Sequence, residues 1–482
     1  MGFGFAMGLL VLVLWRWPAS VSDRAGWLED LTALERFTGE AYANLADRLR
    51  SRGLHPRELD RRTREALSVA ATPGEARAAL RSFAVAFQDA HFRADPRAGA
   101  LKSLFAHRGE GEPIPAGVPA EEACERMGFG FRDRGRIAWS ALPGWRPLGG
   151  STLERPFPSG VVPGPAGEVV AILRIPLFSG EPFPSACAER WEARRKAGGG
   201  PCDPKCQDEL RQAVDRTLVE RLAAQVEELR AEGAGLLVVD VTRNGGGSGL
   251  SDPIARQLTA VPLRTPAMGF VRHPHWEAQF EEGVNRFEAE LARRDLPAEQ
   301  RLLVEQARDQ SVAMRGEAAL RCDLSGIWSQ PEPGLPCEPV ARFDGYVRYA
   351  RPGELDGLET KESLFGASQY TYREGAWSGP LLVLVDRFTA SDSEQFAAML
   401  RDNGAARIIG ERTMGVGCGY TNGGLELELP HTAMMVRVPD CVRYRADGTN
   451  EAEGIRPDLH VPWMDGDDGP TRARKVMAAL VP

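Results

Sequence analysis

A serine hydroxyl becomes a nucleophile only beside a proton acceptor and donors for the oxyanion it creates, and one segment offers much of that setting. In Val385-Asp-Arg-Phe-Thr-Ala-Ser391-Asp-Ser-Glu394-Gln-Phe396, an apolar run (Leu381–Val385) passes through a tight turn into an amphipathic helix. Ser391 stands at the junction, where free backbone N–H groups and the positive end of the helix dipole stabilise a developing oxyanion. The same residues, Ser391-Asp-Ser-Glu394, also satisfy a capping box, with Glu394 at the required offset. Locally, cap and nucleophile are both consistent. A second segment, Leu237-Val-Val-Asp240-Val-Thr-Arg-Asn244-Gly245-Gly246-Gly247, is an apolar run followed by consecutive glycines. Such a loop brings backbone N–H groups close to a ligand oxygen. No Gly-Lys-Ser/Thr follows, so it is not a P-loop.

The seven histidines supply the candidate bases. His273 and His275 flank Pro274 in what reads as a surface turn, and His431 lies in a hairpin close in sequence to the Ser391 segment. His55, His107 and His460 have no chemical context, and His91 follows Gln88-Asp-Ala.

The elements that must position these groups are legible from periodicity. Between Trp27 and Phe87 apolar residues recur at helical spacing, with Leu31, Leu34, Phe37, Tyr42, Leu45 and Leu49 leading the first stretch. This predicts an N-terminal helical domain over 23–107. Residues 108–165 are Gly/Pro-rich and read as a linker or a small β module. From 166 to 482 strands and helices alternate: Val169–Ile175, a helix over Ala213–Ala231, Leu236–Asp240, Leu381–Val385, Arg407–Gly410, and a hairpin over Leu425–Leu429 and Met434–Val438. Uninterrupted apolar strands between helices imply a sheet covered on both faces, hence an α/β layered fold. Residues 262–375 interrupt the rhythm with a charged helical stretch (Trp276–Glu317) and a Pro/Gly/Cys-bearing segment, and read as a large insertion.

A chain of 482 residues with 43% hydrophobic content can bury a sizeable core, and the net charge of −8 with no basic patch argues against nucleic-acid binding. The apolar run Met1–Trp15 is short for a membrane span and fits a secretory signal, with small residues at Ala19–Ser22. Residues 1–22 are therefore expected to be a signal peptide, with a membrane anchor as the alternative, and the protein to be exported, periplasmic or extracellular. Eight cysteines fit disulfides in an oxidising compartment, with Cys202/Cys206, Cys322/Cys337 and Cys418/Cys441 as local pairs. A zinc site is not indicated: Cys202-Asp-Pro-Lys-Cys206 has no second clustered pair.

Taken together, the two Ser/Gly segments resemble the C-terminal-processing (tail-specific) serine protease superfamily. Asp240–Gly247, Thr389-Ala-Ser-Asp-Ser-Glu394 and Gly410-Glu-Arg-Thr-Met-Gly-Val-Gly417 match its motifs in the right order, over roughly residues 166–260 and 378–465. The resemblance implies a crotonase/Clp-protease-like core with Ser391 as nucleophile. The family's catalytic Lys falls at Val416, which cannot carry a proton, so either the chain is inactive or another base serves. The tricorn-type branch uses a His oriented by a distant Glu. Gln88-Asp-Ala-His91-Phe resembles its His segment, and Asp447-Gly-Thr-Asn-Glu451-Ala-Glu-Gly-Ile-Arg-Pro-Asp458 its Glu segment. By that resemblance His91 is the general base and Glu451 its carboxylate, with His431 and Glu453 as second choices. A neutral imidazole of pKa about 6.5 takes the Ser proton and returns it to the leaving amine. The oxyanion hole falls to the N–H groups of Gly246 and Asp392, with Gly245 adjacent. Residues 108–165 occupy the place of a PDZ module but lack a clear carboxylate-binding element; Met127-Gly-Phe-Gly-Phe131 is a faint echo.

The expectation is an exported serine endopeptidase acting on protein or peptide substrates through a Ser391 acyl-enzyme, with neither metal nor organic cofactor. The alternatives are a non-catalytic ligand-binding protein on the same fold and, less compatible with export, an acyl-CoA enzyme.

Overall fold

A strand whose residues are apolar in both phases must be covered on both faces, and apolar runs such as Leu236–Val239 meet that condition. The computed structural model describes residues 21–96, 112–130, 133–150, 152–247, 249–329 and 334–480. The signal or anchor expected over 1–22 falls almost wholly on residues 1–20, outside the described residues, as does His107. No helix among the described residues is long and apolar enough to cross a membrane.

The strands are β1 (Arg93–Pro96), β2 (Arg146–Gly149), β3 (Ser159–Pro163), β4 (Val169–Arg174), β5 (Ala234–Asp240), β6 (Met268–Val271), β7 (Val340–Phe343), β8 (Leu381–Val385), β9 (Arg407–Gly410), β10 (Leu425–Glu428), β11 (Met434–Val438), β12 (Cys441–Arg443) and β13 (Leu459–His460). A seven-stranded sheet in the order β13-β9-β8-β5-β4-β3-β2 forms the centre. It is parallel from β13 to β4 and antiparallel across β3 and β2. One face sends Ala171, Leu173, Leu237, Val239, Val383 and Val385 into a core with the helices Pro204–Ala231 and Asp392–Asp402. The other sends Val170, Ile172, Val238, Leu384 and Ile409 against Trp139, Trp463 and the helix Gly469–Ala479. Alternate residues of each strand thus serve opposite cores. The fold is α/β, as expected.

Two readings are corrected. Residues 146–163, expected within a linker or degenerate module, supply β2 and β3 to the central sheet. Their shortness and their prolines, Pro147 and Pro163, obscured them, and both prolines suit the outer part of a sheet. The helix expected from Ala213 begins at Pro204, where Asp203 caps it by accepting the Cys206 N–H at 2.9 Å.

The N-terminal helices Val21–Ala41, Leu45–Ser51, Pro56–Val69 and Pro73–Ala86 share a core with β11 and Trp328. Two features tie them to the rest. Strand β1 pairs antiparallel with β11, and Asp30 accepts the N–H groups of His431 and Thr432 at 3.0 and 2.7 Å. The insertion is anchored as well: β6 pairs with β7 and with β12. The cysteines form Cys124–Cys187, Cys202–Cys206, Cys322–Cys337 and Cys418–Cys441, the last three being the local pairs anticipated.

Candidate active site

Ser391 sits where β8 ends and the helix Asp392–Asp402 begins, at φ 57° and ψ −119°. A non-glycine residue held there is strained, and such strain persists only where surrounding structure imposes it. Three contacts impose it here. The Ser391 N–H donates to Glu394 Oε2 at 3.0 Å, realising the capping pair, and the Ser391 carbonyl accepts from Arg443 Nη2 at 2.8 Å. The Gly-rich loop after β5 presses on it from the side: a Cβ on Gly246 (φ 112°) would lie 2.8 Å from Ser391 Cβ and 3.0 Å from the Asp392 nitrogen. Only glycine permits that approach.

Of the two expected oxyanion donors, Asp392 has a backbone N–H in the first turn of the helix with no acceptor among the described residues. The Gly246 N–H instead donates to Asn244 Oδ1 at 2.9 Å. The Asp392 side chain turns away to the Ser251 hydroxyl and the Gly249 N–H. Burial pushes its carboxyl up, and those donors work against the shift.

Glu394 does more than cap. Its fully buried carboxylate accepts from Thr413 Oγ1 (2.5 Å) and from the N–H groups of Gly415 (2.7 Å), Val416 (3.0 Å) and Gly417 (3.2 Å), besides Ser391. One anion thereby fixes both the serine turn and the loop that follows β9. Val416, at the family's Lys position, is 2% exposed and lines a hollow of about 400 Å³ with Val85, Phe92 and Met414. The Val416 side chain itself cannot carry a proton.

His91 reaches the same loop from the N-terminal domain. Its ring faces the Val416 backbone and packs on Gly419, where a Cβ would lie 3.1 Å from Nε2. Tyr420 donates its hydroxyl to the His91 carbonyl, and the His91 N–H donates to Asp89 Oδ1 at 3.0 Å. Burial holds the imidazole below its ordinary pKa of 6.5, with Asp89 opposing and Arg443 assisting. The ring is therefore neutral at neutral pH and able to accept a proton. Nδ1 is buried without a partner, and neither the Ser391 hydroxyl nor Glu451 hydrogen-bonds to the ring.

Glu451, 1% exposed, is engaged elsewhere: Arg443 donates to its Oε1 through Nε (2.8 Å) and Nη2 (2.5 Å). A buried carboxylate needs such a counter-charge. Burial raises the Glu451 carboxyl, and Arg443 works against that rise. The structure thus brings Ser391, Gly246 and Asp392 into direct contact, links Glu451 to Ser391 through Arg443, and sets His91 on the adjoining loop. Arg443 was missed in the sequence, where nothing marks it beyond its place eight residues before Glu451. The alternative base His431 pairs its Nε2 with Glu29 at 2.9 Å on an exposed surface, and His275 pairs with Asp440 at 3.1 Å. Among the described residues no group of acidic, His or Cys side chains is arranged to hold a metal.

Residues 306–461 match the model of peptidase family S41, a span that contains Ser391, Glu394, Val416, Arg443 and Glu451. Over that span the chain is similar to peptidase family S41. The match supports a serine peptidase, although the matched span begins beyond both His91 and the Gly-rich loop. The chain also resembles solved structures over nearly its whole length. Mature CPAF aligns with a TM-score of 0.58 and 15% identity, covering 95% of this chain and 96% of that one. Mature CPAF complexed with lactacystin gives 0.60 and 15%, covering 95% and 97%. At such identities the likeness is one of fold.

Proposed function

We propose that this protein is an exported endopeptidase that cleaves peptide bonds through an acyl-enzyme on Ser391, with His91 as general base. The observation that carries the reading is the strained Ser391 turn, pressed by Gly246 and followed by the free N–H of Asp392. In this mechanism the neutral imidazole takes the Ser391 proton as the hydroxyl attacks, then protonates the leaving amine. The Asp392 N–H, joined by the Gly-rich loop at Gly246 once Asn244 releases it, stabilises the oxyanion. Glu451 supplies the carboxylate of the set, and Val416 leaves no role for a lysine base. The imidazole and hydroxyl must close on each other when substrate binds, as catalytic hydrogen bonds often do. Four disulfides support an oxidising compartment.

The test is hydrolysis of casein or a peptide library by the wild type beside Ser391→Ala and His91→Ala. The expected result is turnover by the wild type, none by Ser391→Ala, and a loss of about 10²- to 10⁴-fold for His91→Ala. Equal inactivity of all three preparations would favour the ligand-binding alternative. Lactacystin, bound by mature CPAF in one of the similar structures, is a first inhibitor to try.

A further inference from the structure

The contact that departs most from the expected arrangement is the one between Arg443 and Glu451. The guanidinium, with only 13% of its side chain exposed, gathers three oxygens: Glu451 Oε1, the Ser391 carbonyl at 2.8 Å and the Gly417 carbonyl at 3.0 Å. Two of the three belong to the backbone of the nucleophile turn and the loop against which His91 rests. Arg443 itself stands at the end of β12, and the preceding Cys441 is bonded to Cys418 of that loop. A planar fork is suited to hold several acceptors in fixed relation, which an ammonium group does poorly.

We propose that Arg443 is the positioning residue of the nucleophile turn, and that Glu451 serves the reaction by fixing Arg443 rather than by orienting the imidazole. The inference rests on the serine-peptidase reading of the site. In this arrangement Glu451 neutralises and orients the guanidinium, and the guanidinium pins the Ser391 and Gly417 carbonyls. The hydroxyl, the Asp392 N–H and the wall beneath His91 therefore keep a fixed geometry. Its cationic charge also acts on His91, alongside Asp89 and Arg437.

The test measures the labelling rate constant of the full-length protein by an excess of fluorophosphonate, across pH, for the wild type, Glu451→Gln, Arg443→Lys and the double variant Arg443→Met/Glu451→Gln. The double variant removes the buried ion pair as a unit, which spares the fold the cost of a lone buried charge. Glutamine keeps an acceptor for Arg443, so Glu451→Gln is expected to lose no more than about tenfold. The double variant, with no guanidinium joining the two carbonyls, is expected to lose about 100-fold. Arg443→Lys falls between them. Only where the cation is gone does the acid limb of the rate move to higher pH, because Arg443 holds the His91 pKa down. A purely structural role would lower stability without moving that limb. A Glu451→Gln loss as large as that of the double variant would overturn the proposal, placing Glu451 on the imidazole itself. So would a double variant labelling within about threefold of the wild type. A wild type that takes no label, or no more than Ser391→Ala, would instead sink the peptidase reading on which the proposal stands.

Discussion

At the scale of single residues, the proposed mechanism turns on an imidazole whose proton affinity is lowered by burial. His91 lies below 6.5, so it is deprotonated in the free enzyme throughout the neutral range. The acid limb of kcat/KM is therefore expected to have its midpoint below that value, measured with a peptide substrate from pH 4 to 9. A midpoint at or above 6.5 would contradict the assignment. The linkage has the same sign: the folded state binds fewer protons at His91 than the unfolded chain does, so this residue costs stability as pH falls through the interval. How far the sequence disclosed these residues depends on the signal each one carries. Ser391 stood out because a strand, a turn and a helix meet there, and its role as nucleophile came from the family resemblance. His91 and Glu451 were nominated by resemblance alone, since a lone His or Glu in a loop has no periodic signature. Arg443 was invisible because its role comes from backbone carbonyls contributed by two other segments.

At the scale of elements, the loop after β9 and the turn after β8 are joined by a single buried carboxylate. Glu394 was readable as half of a capping box, but its bonds to Thr413, Gly415, Val416 and Gly417 depend on a loop that local sequence does not fold. Glu394→Gln replaces one acceptor oxygen by a donor facing N–H groups, which leaves buried donors unpaired. The expected cost is about 3 kcal/mol of unfolding free energy by urea titration, together with loss of activity. A variant within about 0.5 kcal/mol of the wild type would show that the loop holds itself. The apolar strands β4, β5, β8 and β9 were legible because few other elements carry such runs. Strands β2 and β3 were not, because four or five residues bounded by Gly and Pro look like a turn.

At the scale of the molecule, the site exists only because the N-terminal helices are docked on the core. Arg48, 1% exposed, crosses that boundary to donate to the Gly415 carbonyl at 2.8 Å. Asp89 accepts from Tyr42 and Asn44 beside it. The segment carrying His91 is thus held from both sides, which local periodicity does not foretell. An α/β layered fold with two-sided burial of its sheet followed from the sequence, whereas the sharing of one apolar core by the helices and β11 emerged only in three dimensions. The central claim is that His91, brought from 300 residues away in the chain, activates Ser391. The most direct measurement is the site and rate of the covalent adduct formed by a fluorophosphonate, mapped by mass spectrometry in the wild type, Ser391→Ala and His91→Ala. The account predicts a single adduct on Ser391, absent from Ser391→Ala and formed at least about 100-fold more slowly in His91→Ala. An adduct on another residue, or one formed on Ser391 as fast without His91 as with it, would contradict it.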